Sequence, residues 1–484
     1  MRNGIPPNIL VVVLDCVRAK SLALYGGRRV AHTPNLDRLA REGTVFRRAV
    51  APGNWTIPSH MSIYTGTYPW VHGLRTFQPD ERALPKIAEW LSTRGYDTAV
   101  FTEEVHLVGG YGLETGYADR FGARLGSSDD DRTSVNRIFG HAQFLYSAPV
   151  RRMIERIPRL AVPISAVNFR QEIAFKYEVC NDGLGHRFSE WLARRRPDRP
   201  FHAFFNFVDG HEPYPQLAPQ PIWTSSRGFV QVPRFYLLAV PGLAERMPWE
   251  TVEAAYLASI ERADAKVGAL LDELERSGQR EDTMVVVTAD HGQSFGEGGN
   301  IYHGCGATES VLRVPLVVGP PDSVERVPSV DAWTSLCEIP SWMKSVALGQ
   351  APYGPDGVAP VPFPTHPPGA DPVLAEGGPA SDPNRSLEGI GLDHRWNHRL
   401  IAAYRRGEKW VWDLVAGSVW RWNVSDGDAD DHHPEFLEGD RRDEALRTAF
   451  QVSGPTDADR YLGEVDRRVR KSVGDARMRS WGYD

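Results

Sequence analysis

The sequence predicts an α/β protein with a mostly parallel central sheet flanked by helices, followed by a small C-terminal α+β subdomain. Apolar runs of strand length, rich in β-branched residues, alternate with amphipathic helical stretches. Beyond a proline- and glycine-rich segment the pattern changes to short, closely spaced strands. The chain has 484 residues, 41% of them apolar. That is enough for one large core beside a smaller one, and we expect domains at 1–375 and 376–484.

Residues 9–14 form a continuous apolar run, as a strand buried on both faces requires. Residues 34–42 follow as a short amphipathic helix with Pro34 in its first turn and Leu36, Leu39 and Ala40 on one side. Helices are expected again at 58–64 and at 84–94, the latter with Pro85 in its first turn, ahead of a strand at 98–101. A strand at 201–208, a long helix at 252–274 and a strand at 284–288 continue the alternation. The short strand at 314–318 contains Pro315, which predicts an edge or irregular position. In such a sheet ligands gather beyond the carboxyl ends of the strands, where Asp15 and Asp290 fall.

Proline and glycine dominate 349–379, which reads as a loop or linker. Beyond it, 399–404, 409–414 and 418–422 look like antiparallel strands, the first two joined by a turn at Arg406-Gly407. The tryptophans there, Trp410, Trp412, Trp420 and Trp422, suit packing of the subdomain. An amphipathic stretch at 457–469 closes the chain. The insertion at 136–194, with Arg151, Arg152, Arg156 and Arg159, suits either a lid or a solvated helix.

Formal charge is −7. The basic residues are scattered, so a nucleic-acid duplex is not an expected partner, whereas a small anionic substrate is. Cys16, Cys180, Cys305 and Cys337 show no CxxC spacing and read as reduced thiols. There is no export-signal pattern and no run of eighteen apolar residues. The expectation is a soluble, cytoplasmic protein without a membrane anchor, with a homo-oligomer left open.

Asp290-His291-Gly292 ends an apolar strand with two adjacent ligand-type side chains. The same residues could form an Asx turn before a glycine. Two carboxylates and an imidazole, Asp15, Asp290 and His291, suit one divalent cation, with manganese or zinc favoured over calcium. Thr56 stands near the start of a helix, where it could be an ordinary N-cap or a hydroxyl facing a bound anion.

Together these segments resemble the sulfatase-like branch of the alkaline phosphatase superfamily. The resemblance is carried by Leu14-Asp-Cys-Val-Arg18, His32-Thr-Pro-Asn-Leu-Asp37, Trp55-Thr-Ile-Pro-Ser-His60 with Tyr64-Thr-Gly66 and His72-Gly73, Asp209-Gly-His-Glu-Pro-Tyr214 and Thr288-Ala-Asp-His-Gly292. It covers roughly the first 330 residues, and Lys409-Trp-Val-Trp-Asp-Leu414 extends it loosely into the subdomain. The resemblance implies that Asp15, Asp290 and His291 hold the metal with Thr56. It also implies that Thr56 attacks sulfur or phosphorus, that His211 and His303 meet the substrate oxygens and leaving group, and that Arg18 braces the first metal loop.

Two departures shape the expected activity. Sulfatases of the usual kind carry Cys or Ser at the attacking position, convert it to formylglycine, and place arginine four residues later. This chain has Thr56 and His60. Members with an unmodified threonine act mainly on phosphorus esters, so the resemblance implies a metal-dependent hydrolase of a soluble phosphodiester, phosphomonoester or phosphonate ester. A soluble phosphotransferase, an atypical sulfatase and a catalytically inactive binding protein are the alternatives. Cys16 replaces an aspartate ligand of many sulfatases and reads as a buried core thiol or a neighbour of the ligands. Asp209-x-His211 lacks the Asp-x-x-x-His spacing of two-zinc members, which implies one ion.

Overall fold

The computed structural model describes residues 5–75, 84–108, 111–122, 183–212, 214, 247–361, 372–378, 398–424 and 434–450. The large domain contains strands β1 (Asn8–Leu14), β2 (Thr44–Val50), β3 (Asp97–Thr102), β4 (Asp119–Gly122), β5 (Phe201–Phe207) and β6 (Thr283–Thr288). A small ribbon of β7 (Ser294–Phe295) and β8 (Ile301–Tyr302) precedes β9 (Leu316–Gly319) and β10 (Ser329–Ser335). Among the described residues, eight strands form one sheet in the order β10-β2-β9-β6-β1-β5-β3-β4.

The apolar runs occupy the centre of that sheet. Val11 of β1 stands opposite Phe204 on one side and Val286 on the other, and every residue of β1, β5 and β6 is buried. Burial on both faces explains why these strands are continuous rather than alternating in hydrophobicity. The helix Pro34–Glu42 and the long helix Trp249–Arg276 lie in contact, and Asp264 of the latter accepts the backbone N–H groups of Asn35 and Leu36. In this way the long helix caps the short one.

All neighbours in the sheet are parallel except around β9, which pairs antiparallel with both β2 and β6. The expectation of an edge or irregular position for this strand is therefore corrected. Pro315 lies one residue before the first residue of β9, so its missing N–H removes nothing from the ladder, and its carbonyl accepts the Thr288 hydroxyl. The helix expected from residue 84 begins instead at Ile87. Glu89 accepts the backbone N–H of Lys86 at 2.9 Å, which fixes the start beyond Pro85.

A second, wholly antiparallel sheet follows the order β11 (Val373–Gly377), β12 (Leu400–Arg405), β13 (Glu408–Asp413), β14 (Val419–Asn423) and β15 (Glu435–Leu437). Arg406 and Gly407 both have positive φ, 49° and 83°, as a two-residue hairpin turn of primed type requires. The four tryptophans are buried in two apolar clusters that this sheet shares with residues of the large domain. Val373–Gly377 is a strand inside the segment expected to be a loop, and the expected division at residue 375 falls within it. Pro372 immediately precedes the strand, where its missing donor is harmless.

The stretch 457–469, Cys180 and the four arginines of the insertion lie outside the described residues. Of the insertion, Leu184–Arg194 is a helix that buries Leu184, Phe188, Trp191 and Leu192. Among the described residues no helix is long and apolar enough to cross a membrane.

Candidate functional site

The strand order β6-β1-β5-β3 sets four parallel carboxyl ends side by side, at successive spacings of about 5 Å. The segments that leave those ends carry Asp290-His291, Asp15-Cys16, Asp209 to Glu212, and Glu103 to His106. This shared edge is where the candidate site forms.

Asp15, Asp290 and His291 are completely buried. His291 Nε2 lies 3.7 Å from Asp15 Oδ1 and 3.3 Å from Asp290 Oδ2. On the other side of the ring, Nδ1–H donates to the Gly292 carbonyl at 3.0 Å. Nε2 therefore carries its lone pair toward two carboxylates. Burial holds His291 neutral, with its pKa lowered to about 3. Both oxygens of Asp15 and Oδ2 of Asp290 have no hydrogen-bond partner among the described residues. Burial, reinforced for Asp15 by the neighbouring Asp290, pushes Asp15 up, and burial pushes Asp290 up to about 8.

Unpartnered carboxylate oxygens facing an imidazole lone pair are costly in a dry interior unless a cation joins them. The donor set of two carboxylates and one imidazole fits a divalent ion. The remaining oxygen of Asp290 accepts the backbone N–H groups of His291 at 2.8 Å and Cys16 at 3.3 Å, which aligns the ends of β6 and β1.

Thr56 is the first residue of the helix Thr56–Thr65, and Trp55 occupies the cap position. Its hydroxyl is thus not an N-cap. Thr56 Oγ1 instead lies 3.4 Å from His291 Nε2, and the residue is 8% exposed. His60, one turn later, is fully buried: Nδ1–H donates to the Thr56 carbonyl at 2.9 Å, and Nε2 accepts Asn206 Nδ2–H at 3.3 Å. Burial lowers its pKa to about 4. His60 therefore fixes the first helical turn beneath Thr56.

The other expected residues gather on one flank. The His303 ring lies 4.7 Å from that of His291 and 4.8 Å from that of His211. His303 Nδ1 lies 2.8 Å from Gln293 Oε1, and His211 Nδ1–H donates to the Glu212 carbonyl. Arg18 is fully buried and ion-pairs with Glu253 and Glu297, linking the Asp15 loop to the segment after β6. Tyr256 reinforces that loop, because its hydroxyl donates to the Cys16 carbonyl and accepts the Arg18 N–H.

Several residues of the site were not singled out from sequence. Glu104 pairs with His106 beyond β3. Burial opposes ionisation of both, yet their mutual attraction lowers Glu104 to about 2 and raises His106. Gln293 donates to Glu212 at 2.7 Å and to the Tyr214 hydroxyl at 2.9 Å. Ligand-type residues just beyond a buried parallel strand were the available signal for Glu104 and His106. Asp209 ion-pairs with Lys266, which also pairs with Glu103, and with Arg262.

The sulfatase family model matches residues 7–340. Mouse steryl-sulfatase is 26% identical over 373 residues, covering 64% of this chain and 54% of its own length. The chain thus spans about half of that relative. A multifunctional alkaline phosphatase superfamily protein, PehA of Trinickia caryophylli, is 26% identical over 435 residues, covering 77% of this chain and 78% of its own. Among solved structures, the phosphonate monoester hydrolase of Agrobacterium radiobacter aligns with a TM-score of 0.55 at 19% identity, covering 96% of each chain.

Proposed function

Because this chain belongs to the sulfatase family, we propose that it is a metal-dependent hydrolase of phosphorus esters with Thr56 as the nucleophile. The observation that carries the proposal is the position of Thr56 Oγ1, 3.4 Å from His291 Nε2 and beside the unpartnered oxygens of Asp15 and Asp290. The names borne by the phosphonate hydrolase and by the PehA relative support phosphorus as the reacting centre. Threonine also cannot be matured to formylglycine, which disfavours ordinary sulfate-ester cleavage.

Asp15, Asp290 and His291 would hold the ion with Thr56, and we favour manganese or zinc over calcium because of the imidazole. The ion supplies positive charge for a non-bridging oxygen and lowers the pKa of a hydroxyl at its edge. Thr56 Oγ attacks phosphorus from the first turn of its helix, where backbone N–H groups favour an anion. His60 holds that turn in place through the Thr56 carbonyl. His211 and His303 line the flank on which the equatorial oxygens and the leaving alkoxide would lie, with Gln293 orienting His303. Water then cleaves the phosphothreonine ester. The substrate we assign is a small anionic ester, met in the cytoplasm.

A phosphotransferase is the second reading, because a threonyl ester needs activated water or an acceptor to turn over. The test is to strip the protein of metal, restore manganese, zinc or calcium, and assay aryl phosphomonoesters, phosphodiesters, phosphonates and sulfates beside Thr56→Ala. We expect metal-dependent turnover of phosphorus esters that Thr56→Ala lacks. Product appearing only with an added alcohol would select the transferase, and sulfate turnover by both proteins would refute the threonine mechanism.

A further inference from the structure

One donor atom each from Cys16, His211, Glu212 and His303 lies within 4.8 Å of the others. Cys16 belongs at the same time to a buried cluster with Asp15 and His291. We propose that the protein holds a second, thiophilic divalent ion of the zinc class in the Cys16–His211–Glu212–His303 cluster, with the Cys16 thiolate between the two centres. This goes beyond the single-ion reading and does not depend on which ester is cleaved, but it makes His211 and His303 ligands in place of the direct substrate contacts proposed above.

The ligand types are those that select zinc: one thiol, two imidazoles and one carboxylate. Cys16 Sγ lies 3.5 Å from His303 Nδ1, which is itself 3.7 Å from Glu212 Oε2. The outer contacts match those that orient metal ligands. His211 Nδ1–H donates to a backbone carbonyl, so the lone pair of that ring is at Nε2. Gln293 Nε2–H donates to Glu212 while its Oε1 accepts His303 Nδ1–H, so the lone pair of the His303 ring is likewise at Nε2 and the two residues are held together.

The backbone of Cys16 strengthens the inference. Its φ is +64°, a left-handed conformation that is unfavourable for a non-glycine residue. A core thiol has no need of that conformation. It persists here because the Cys16 N–H bonds Asp290 Oδ1 and the Cys16 carbonyl accepts the Tyr256 hydroxyl. Left-handed backbone at such a point projects the thiol into the space between the clusters, and strain of this kind collects at functional sites.

Binding forms a metal–sulfur bond and releases the Cys16 proton to solvent. The sequence reading of one ion weighed the Asp209-x-His211 spacing. The cluster instead uses Glu212, adjacent to His211, and Cys16 from another strand.

The test is titration of the metal-stripped full-length protein with cadmium, following ultraviolet thiolate-to-cadmium charge-transfer absorption and the number of ions bound. Wild type is expected to take two equivalents, one with the absorption. Cys16→Ser, of nearly the same size, should lose the absorption and weaken the second equivalent by more than about tenfold. Cys305→Ser should keep both. His211→Ala alters a residue that is one-third exposed and provides an independent variant if Cys16→Ser fails to fold. It should retain the first equivalent and weaken the second. One equivalent in wild type, absorption surviving Cys16→Ser, or an unchanged second equivalent in His211→Ala would each overturn the proposal. Because ions are counted without turnover, failure of the ester assay leaves this result separately readable.

Discussion

Thr56 combines two roles that local propensity keeps apart. It stands at a helix start, yet its hydroxyl faces His291 rather than capping the helix. Thr56→Ala should therefore lower turnover by at least about three orders of magnitude, with thermal unfolding little changed. The acids beneath it make a different prediction. Burial raises Asp290 from 3.8 to about 8 and raises Asp15 as well. Between those values the unfolded chain releases a proton that the folded, metal-free chain keeps. The contribution of this pair to the stability of chelator-treated protein should thus be full below about pH 4 and decline as pH rises toward about 8. Restoring the divalent ion should remove the decline, because it stabilises the ionised pair. Unfolding temperatures with and without chelator across this range check it, and a gap between the two that fails to widen as pH rises would contradict it. Asp15 and Asp290-His291 were readable as ligands because each follows an apolar run. The orientation of the Cys16 thiol was not, since its positive φ is imposed by Tyr256 and Asp290, which are distant in sequence.

At the scale of elements, the site depends on how closely the loops beyond β1, β5 and β6 pack. A Cβ at Gly210 would lie 2.4 Å from the Asp15 carbonyl oxygen and 3.1 Å from a methyl of Val17. Gly210→Ala should push the Asp15 loop aside, costing about 1–3 kcal/mol and weakening metal affinity together, as unfolding and chelator competition would show. The elements legible from sequence were those with a clear local pattern: β1, β3, β5, β6, the helices Pro34–Glu42 and Thr56–Thr65, the long helix and the antiparallel strands β12 to β14. β2 was missed because Arg47 and Arg48 interrupt its run. Arg48 lies over the Trp333 ring of β10, and Arg47 bonds the Leu24 carbonyl, so both charges are accommodated by tertiary partners. The helix Gly439–Ala449 was missed for a related reason. It is dominated by charge, and only Ala445, Leu446 and Ala449 are buried, against an apolar cluster of the second sheet.

At the scale of the whole molecule, the two sheets are joined by polar contacts as well as apolar ones. Glu309, in the large domain, accepts Lys409 Nζ at 2.9 Å and the Tyr404 hydroxyl at 2.7 Å, both from the second sheet. Glu309 and Lys409 are 3% and 2% exposed, so removing Lys409 leaves the buried Glu309 carboxylate with only the longer Arg313 pair at 3.5 Å and the Tyr404 hydroxyl. Lys409→Met should destabilise the protein by about 3 kcal/mol, and adding Glu309→Gln should recover part of that loss. Denaturant midpoints of the two variants would measure both effects. The fold class was legible at this scale because alternation of strand and helix survives any details of contact. The junction was not, since Glu309 and Lys409 are a hundred residues apart.

The strand β11 also touches the segment that leads into Thr56. Gly53 forms a bridge with Glu376, the Glu376 N–H donates to the Pro52 carbonyl, and Asn54 Nδ2 bonds the carbonyls of Gly306 and Gly378. The C-terminal sheet is consequently not a cassette that recombination could exchange freely. A fragment cut before residue 373 would leave the approach to the nucleophile without its main-chain partner. A domain graft from a homologue would realign Thr56, even though the residues assigned here to the chemistry lie in the other domain.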